Sequence, residues 1–372
     1  MGTKSRQYNI ELLRLLAMCG IILMHMMNHG CVIMFTQPGN YSYVTCWSLF
    51  APGMHSINIL LLISGYFLVN KSFSFFRVFK LETQVLFYSL FITLGFLIFT
   101  DVPIDLEVMM YSVLPISSDY YWYASMYMGL CFLSPLINRF IRSVTKKQLM
   151  LSCILCFVLC GAWTNIIFYS SGLNVAGGVS IIWFICVYMF GAYIRLYYVP
   201  DGKWKKKLLL AVALCAFLPL SKFCFEFMQK TPLNIGGLFD DLLWGYSVFY
   251  EYNSIPVTIN SIVIFTAFLN MNITSDRIGK LINTAAGASF GVYLIHDHQL
   301  VRDYLWNVIK PYDWIDHWYI LPASLGCMVA IYIACMIVEL FRKRLFGIWE
   351  HSDRLRGFCN GIDERMRNIW NG

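Results

Sequence analysis

Arg14 and His25 stand eleven positions apart in one apolar run that opens at Asn9. Ionisable side chains are expensive in hydrocarbon, so an arginine and a histidine in such a run mark a candidate functional site. Eleven α-helical steps make about three turns, which puts both side chains on one face, roughly 16 Å apart along the axis. One helix thereby carries a cation at one depth and a proton acceptor at another. Arg14 has Glu11 at i−3 as a partner and is placed to bind an anion; the competing reading is a long side chain snorkelling to the headgroups. The imidazole of His25 is suited to take a proton from a hydroxyl near neutral pH; the competing reading is a structural histidine. His29 follows at i+4, but Met26 stands where a metalloprotease helix has its glutamate. No metal is expected.

A second cationic pair, Arg77 and Lys80, lies in Phe75-Phe76-Arg77-Val78-Phe79-Lys80. Spacing of i,i+3 lets both reach one phosphate, although ordinary positive charge at an inner helix end gives the same pattern. His55 follows Pro52-Gly53-Met54, and His296 and His298 flank Asp297. An aspartate beside histidines in a membrane invites a proton-relay reading, which keeps a transporter in play.

These residues need helices in a bilayer to position them. The 372 residues are 58% hydrophobic and 13% charged, with a mean hydropathy of +0.60. A soluble domain carries about 25% charged residues. Apolar runs long enough to span recur near 11–27, 50–69, 81–99, 120–137, 149–168, 179–197, 208–225, 254–269, 285–301 and 318–338. The expected fold is an all-α, polytopic membrane helix bundle of about ten transmembrane helices with both termini cytoplasmic. The apolar run after Lys4 and Arg6 carries Arg14 and lacks a small-residue cleavage site, so it reads as a retained helix.

Charge placement supports that topology. With the N-terminus inside, the inner segments 1–8, 70–80, 138–148, 198–207, 270–284 and 339–372 hold most of the Lys and Arg, including Lys71, Arg139, Lys203, Lys207, Arg277, Arg342 and Lys343. The outer segments hold Lys230, Arg302 and Lys310, with Lys222 near an outer helix end. That asymmetry is the positive-inside pattern. The net charge of +7 then needs no nucleic acid; it marks a face that attracts anionic lipid or an anionic cofactor. Two parts are expected, a transmembrane domain over 1–345 and a basic amphipathic tail over 346–372. In the tail, Trp349, Leu355, Phe358, Ile362, Met366 and Trp370 recur at near-helical spacing among arginines, as on a helix lying on the inner membrane surface. Segment 226–253 interleaves Glu226, Asp240, Asp241 and Glu251 with Trp244, Tyr246, Phe249, Tyr250 and Tyr252, either an interfacial aromatic belt or a sugar-binding rim. The thirteen cysteines sit mostly in apolar runs, where a thiol behaves as a small hydrophobe. Cys31 and Cys46 share an outer loop and could pair.

Glu11-Leu12-Leu13-Arg14-Leu15-Leu16-Ala17 followed by His25 resembles the opening of the acyltransferase-3 family of integral membrane O-acyltransferases, with its Arg-x10-His signature. Further pieces occur in order. Ile63-Ser64-Gly65-Tyr66-Phe67-Leu68 is similar to the end of the family's second helix, and Arg77-x-x-Lys80 stands where the family usually has Arg-x-x-Arg. Tyr121-Trp122-Tyr123 through Leu133-Ser134-Pro135-Leu136-Ile137-Asn138 resembles its Trp-containing helix, and Ser289-Phe290-Gly291-Val292-Tyr293-Leu294-Ile295-His296 its late Tyr-Leu-x-His segment.

The resemblance implies an enzyme that moves an acetyl or similar acyl group from cytoplasmic acyl-CoA, by default acetyl-CoA, to a hydroxyl of a cell-surface or lipid-linked carbohydrate. It implies a multi-pass protein of the inner (plasma) membrane in a bacterial cell envelope. Arg14, Arg77 and Lys80 would hold the donor, and His25 would be the catalytic base. Lysine at position 80 keeps the charge but loses the bidentate fork of arginine. Roles for His55 and His296 do not follow from the resemblance. The rival class is a membrane transporter of a glycan or acyl donor without covalent chemistry. Its discontinuous helices and intramembrane polar groups would suit the Asp297 region, but no internal repeat relates the two halves.

Overall fold

The computed structural model describes residues 7–163, 173, 175–229, 249–350 and 352–371. Its elements are helices: α1 (Tyr8–His29), α2 (Val32–Phe35), α3 (Tyr43–Leu68), α4 (Phe75–Phe99), α5 (Leu106–Val113), α6 (Trp122–Ser143), α7 (Lys146–Phe157), α8 (Ile181–Tyr197), α9 (Trp204–Gln229), α10 (Ile255–Leu269), α11 (Asp276–His296), α12 (Gln299–Ile309), α13 (Ile320–Glu350) and α14 (Asp353–Asn371). No strand occurs among the described residues.

Six of these are long and apolar enough to cross a membrane: α1, α3, α4, α11, residues Trp204–Phe227 of α9 and Ile320–Gly347 of α13. The other segments expected to span differ in identifiable ways. Helices α8 and α10 are apolar and have 17 and 15 residues, at and just below the lower end of the roughly 17–25 that cross hydrocarbon. Helix α6 has 22 residues but carries Ser134, Pro135, Asn138, Arg139 and Arg142. The run at 149–168 leaves the α-helix in a π turn at Val158–Ala162, and residues 164–168 lie outside the described residues. The run at 285–301 is interrupted, because α11 stops at His296 and Asp297 caps its C-terminus before α12 begins.

The bundle has a centre and a rim. Helices α1 and α3 bury 72% and 78% of their apolar windows, while α4, α9 and α13 bury 28%, 22% and 28%. The central pair therefore packs against protein and the rim helices face outward with apolar side chains, which is the distribution a bilayer requires. Helix α1 packs on α3, α10, α11 and α13. Its approach to α3 is close because both carry glycine at the crossing. A Cβ on Gly53 would overlap Cβ of Met24 and lie 2.8 Å from the carbonyl oxygen of Gly20. Small residues bring membrane helices together in this way.

Polar ties lock the two ends. At one end Tyr8 donates to Asp276 at 2.7 Å, and Asn9 donates to the carbonyls of Phe268 and Met271. At the other, the Asp316 carboxylate accepts from Asn40 and from the Ser42 amide, and the Asp316 amide donates to Ser42 Oγ at 3.0 Å.

Several sequence expectations take a different form in space. Helix α13 runs through position 345 without a break, and α14 returns to the start of α4, where the Phe75 amide donates to Asp363 at 2.6 Å. The side chains of Trp349, Met366 and Trp370 lie outside the described residues, as do Lys230, Asp240, Asp241, Trp244 and Tyr246 of the aromatic and acidic segment. Arg342, counted above among surface charges, is 3% exposed and forms two hydrogen bonds to Glu339. Cys31 and Cys46 are not paired; all thirteen cysteines are free thiols.

Candidate active site

Arg14, Met18, Ile21 and His25 recur at intervals of four, three and four residues, and together they line one cavity of about 350 Å³. That spacing is one face of α1. Helix α3 adds Ile57, Leu60 and Ser64, helix α4 adds Arg77, Lys80 and Gln84, helix α6 adds Trp122, Tyr123 and Tyr127, and helix α11 adds Ser289, Phe290 and Tyr293. All four residues singled out from sequence, Arg14, His25, Arg77 and Lys80, therefore border the same space. Most of the wall between the cations and the histidine is apolar or aromatic.

A second cavity of about 470 Å³ adjoins the first. The two share Arg14, Ile63, Ser64 and Tyr127. This vestibule adds Lys71 and Arg195. Arg195 donates to the Tyr66 hydroxyl at 3.0 Å and its guanidinium lies 4.8 Å from the centre of that ring. Arg14 stands at the junction and is fixed by Glu11, 2.6 Å away. Glu11 is 5% exposed, so the pair holds an otherwise costly buried carboxylate. Sequence reasoning found Arg14 and Glu11 because they share a helical turn. It missed Arg195 and Lys71, which look like ordinary helix-end charges until α3 and α8 pack together.

His25 is buried, and its Nδ1 carries the polar contacts. Nδ1 lies 3.1 Å from Nε2 of His296 and 3.3 Å from Oδ1 of Asp297. Nδ1 of His296 is 2.7 Å from the carbonyl oxygen of Val292, one turn back on α11. Arg302 of α12 approaches Asp297 at 3.7 Å. The break between α11 and α12 sets His296 and Asp297 against the His25 imidazole and Arg302 against Asp297.

The other histidines separate by role. His55 lies against α10, with Nδ1 3.3 Å from the carbonyl oxygen of Val257 and Nε2 3.3 Å from Nδ2 of Asn260. Both ring nitrogens are spent on joining α3 to α10. His298 turns to α4, with Nε2 3.4 Å from the Ser89 carbonyl and 3.4 Å from Thr93 Oγ1. His29 stacks edge-on to His25 with ring centres 5.1 Å apart. The sequence reading expected no metal because Met26 replaces the glutamate of a metalloprotease helix; in the tertiary structure Asp297 lies beside the two histidines. His25, His29 and Asp297 offer ligand atoms within 4.8 Å of one another, a two-histidine, one-carboxylate set. The Arg302 cation and the His25–His296 contact both compete with a metal ion there.

The wall opposite α1 is braced from behind. Glu339 of α13 is fully buried and accepts from Tyr88 at 2.7 Å and Gln84 at 3.2 Å on α4, and from Arg342 at 2.8 and 2.9 Å. It packs on Gly291 of α11, where a Cβ would overlap the carboxylate. Lys343 of α13 also donates to the carbonyl of Gly287, which borders the cavity.

A family model for the acyltransferase domain, acyltransferase-3, matches residues 7–339. The chain belongs to the acyltransferase-3 family. No curated protein and no solved structure matches it. The matched region contains every residue of the cavity and ends at Glu339, leaving α14 and the last part of α13 outside it. Membership of acyltransferase-3, together with six helices able to cross a bilayer, makes the chain a membrane acyltransferase.

Proposed function

We propose that the chain moves an acetyl or similar acyl group from cytoplasmic acyl-CoA to a hydroxyl of a cell-surface or lipid-linked carbohydrate. In this reading it does so in the inner (plasma) membrane, as a multi-pass protein with cytoplasmic termini. One observation carries the reading: a single cavity joins Arg14, Arg77 and Lys80 to His25 through apolar walls. Three cationic side chains with an apolar corridor behind them fit a polyanion with a long, largely neutral arm. Acyl-CoA is such a molecule, and it supplies the activated thioester.

Arg14, Arg77 and Lys80 hold the phosphates, with charge-assisted hydrogen bonds as the main attraction. The arm lies along Met18 and Ile21, and the thioester reaches the depth of His25. His25 takes the proton of the acceptor hydroxyl as that oxygen bonds to the thioester carbonyl carbon. The carbon–sulfur bond then breaks, and the same imidazole returns the proton to the departing sulfur. Donor and acceptor enter from opposite sides, so neither has to cross the membrane.

The test uses acetyl-CoA labelled in the acetyl group, membranes containing the chain, and the glycan fraction of the same cells. Label should become covalently attached to glycan with the native chain and not with His25→Ala, folding being checked by detergent-solubilised elution. Full transfer by His25→Ala would refute the base assignment. Glycan crossing the membrane without label would favour a transporter.

A further inference from the structure

The geometry points to His296 as a positioning residue that fixes the tautomer of His25, with Asp297 set to stabilise the charge His25 acquires. The inference rests on the assignment of His25 as the base.

The argument starts at Val292. Its carbonyl oxygen can only accept, so the 2.7 Å contact puts a proton on Nδ1 of His296. In a neutral ring the other nitrogen, Nε2, is then an acceptor. That acceptor sits 3.1 Å from Nδ1 of His25, which must therefore carry the proton between them. Asp297 favours the same tautomer by charge alone, since its Oδ1 accepts no hydrogen bond among the described residues. Its Oδ1 lies 3.3 Å from the same nitrogen, and a carboxylate beside a bare imidazole lone pair would be repelled. Nε2 of His296 requires N–H at Nδ1, and the carboxylate 3.3 Å away favours it by charge.

The consequence falls on the opposite nitrogen. Neutral His25 with its proton on Nδ1 presents a lone pair at Nε2, to which no described residue makes a hydrogen bond. His25 lines the cavity, so Nε2 is the nitrogen available to an acceptor hydroxyl. When Nε2 takes the proton the ring becomes cationic. Asp297 and the lone pair of His296 then meet the new charge at Nδ1–H without moving. A carboxylate or carbonyl behind a histidine commonly sets tautomer and ring orientation in this way. Here a second histidine does so, oriented by its own helix.

Two substitutions of similar size separate this role from mere packing. In His296→Gln the side-chain oxygen reaches the position of Nε2 and can accept from His25. In His296→Asn the side chain ends near the position of Nδ1 and cannot reach. Turnover of labelled acetyl-CoA onto the glycan fraction is measured with the full-length chain. His296→Asn should lower kcat by about 10²- to 10³-fold with KM for acetyl-CoA within about twofold, because the donor site is untouched. His296→Gln should recover at least about tenfold of that loss. Asp297→Asn should cost about tenfold in kcat, since the charge beside Nδ1 is gone while the side chain keeps its size.

Equal rates for His296→Asn and His296→Gln, or the reverse order, would overturn the inference. So would loss of activity on chelation with recovery on adding Zn²⁺, because a metal ion would then hold the imidazole in place of the proton. Retained activity in His25→Ala would instead overturn the base assignment on which the inference rests. Loss in His25→Ala beside native rates in both His296 variants would overturn the positioning role alone.

Discussion

Glu11 holds Arg14 at 2.6 Å, one turn into α1, where the inner cavity and the vestibule meet. The pair fixes the guanidinium at the junction of the two cavities, on the path of the proposed acyl donor. A hydrogen bond to a charged group contributes about 1.5–3 kcal/mol. Arg14→Ala should therefore raise KM for acyl-CoA by about 10- to 100-fold. Arg14→Lys should recover part of this, since charge remains but the planar fork is lost. An unchanged KM in both variants would remove Arg14 from the donor site.

Arg77 and Lys80 are exposed on the first turns of α4 while bordering the same cavity. Exposed charges are screened by salt, with a Debye length of about 10 Å at 0.1 M and about 3 Å at 1 M. KM for acyl-CoA should rise as ionic strength rises. In the double variant Arg77→Ala/Lys80→Ala it should start higher and rise less. Parallel salt dependences in the two proteins would count against a phosphate contact here.

Arg195 extends the cationic lining into the vestibule. Its exposure limits its contribution to about 1 kcal/mol or less. Arg195→Ala should raise KM for acyl-CoA by up to about fivefold and leave kcat as it is. A large fall in kcat would mean that Arg195 acts on the cavity's shape through Tyr66 instead.

Gly53 is the point at which α3 comes closest to Met24, the residue before His25. Gly53→Val inserts a branched side chain into a closed contact, which costs about 1–3 kcal/mol in a packed interior. The melting temperature in detergent should fall, and activity should fall further than stability alone explains, because α1 must shift at His25. A variant with native melting and native turnover would show that the crossing has slack.

Glu339 neutralises Arg342 where both are buried. Glu339→Ala removes the carboxylate that balances that buried guanidinium, a loss of about 3–5 kcal/mol. The chain should express poorly or melt early. Replacing both partners, Glu339→Gln with Arg342→Met, should restore much of the stability. If the double variant is no better than Glu339→Ala, the carboxylate does more than balance Arg342.

Local periodicity made part of this molecule legible. The apolar runs announced a membrane protein, and the stripe Arg14, Met18, Ile21, His25 followed from the pitch of one helix. The number of spans was less legible, because an apolar run of 15 or 17 residues looks much like a longer one until its helix ends are seen. The run at 285–301 is already interrupted in the sequence by His296, Asp297 and His298, but that one helix ends there and another begins at Gln299 is visible only in the structure.

The sequence by itself determined which side chains are costly in a membrane and which of them share a helical face. Those are properties of residue type and of neighbours within a few turns. Only the tertiary structure decided that Nδ1 of His25 faces Nε2 of His296, 271 residues away. The same holds for Asp297, 3.3 Å from that nitrogen, and for Arg302, 3.7 Å from Asp297. Composition gives His25, His55, His296 and His298 equal standing. Packing separates them, because the helix each buried ring faces decides which partners its nitrogens find.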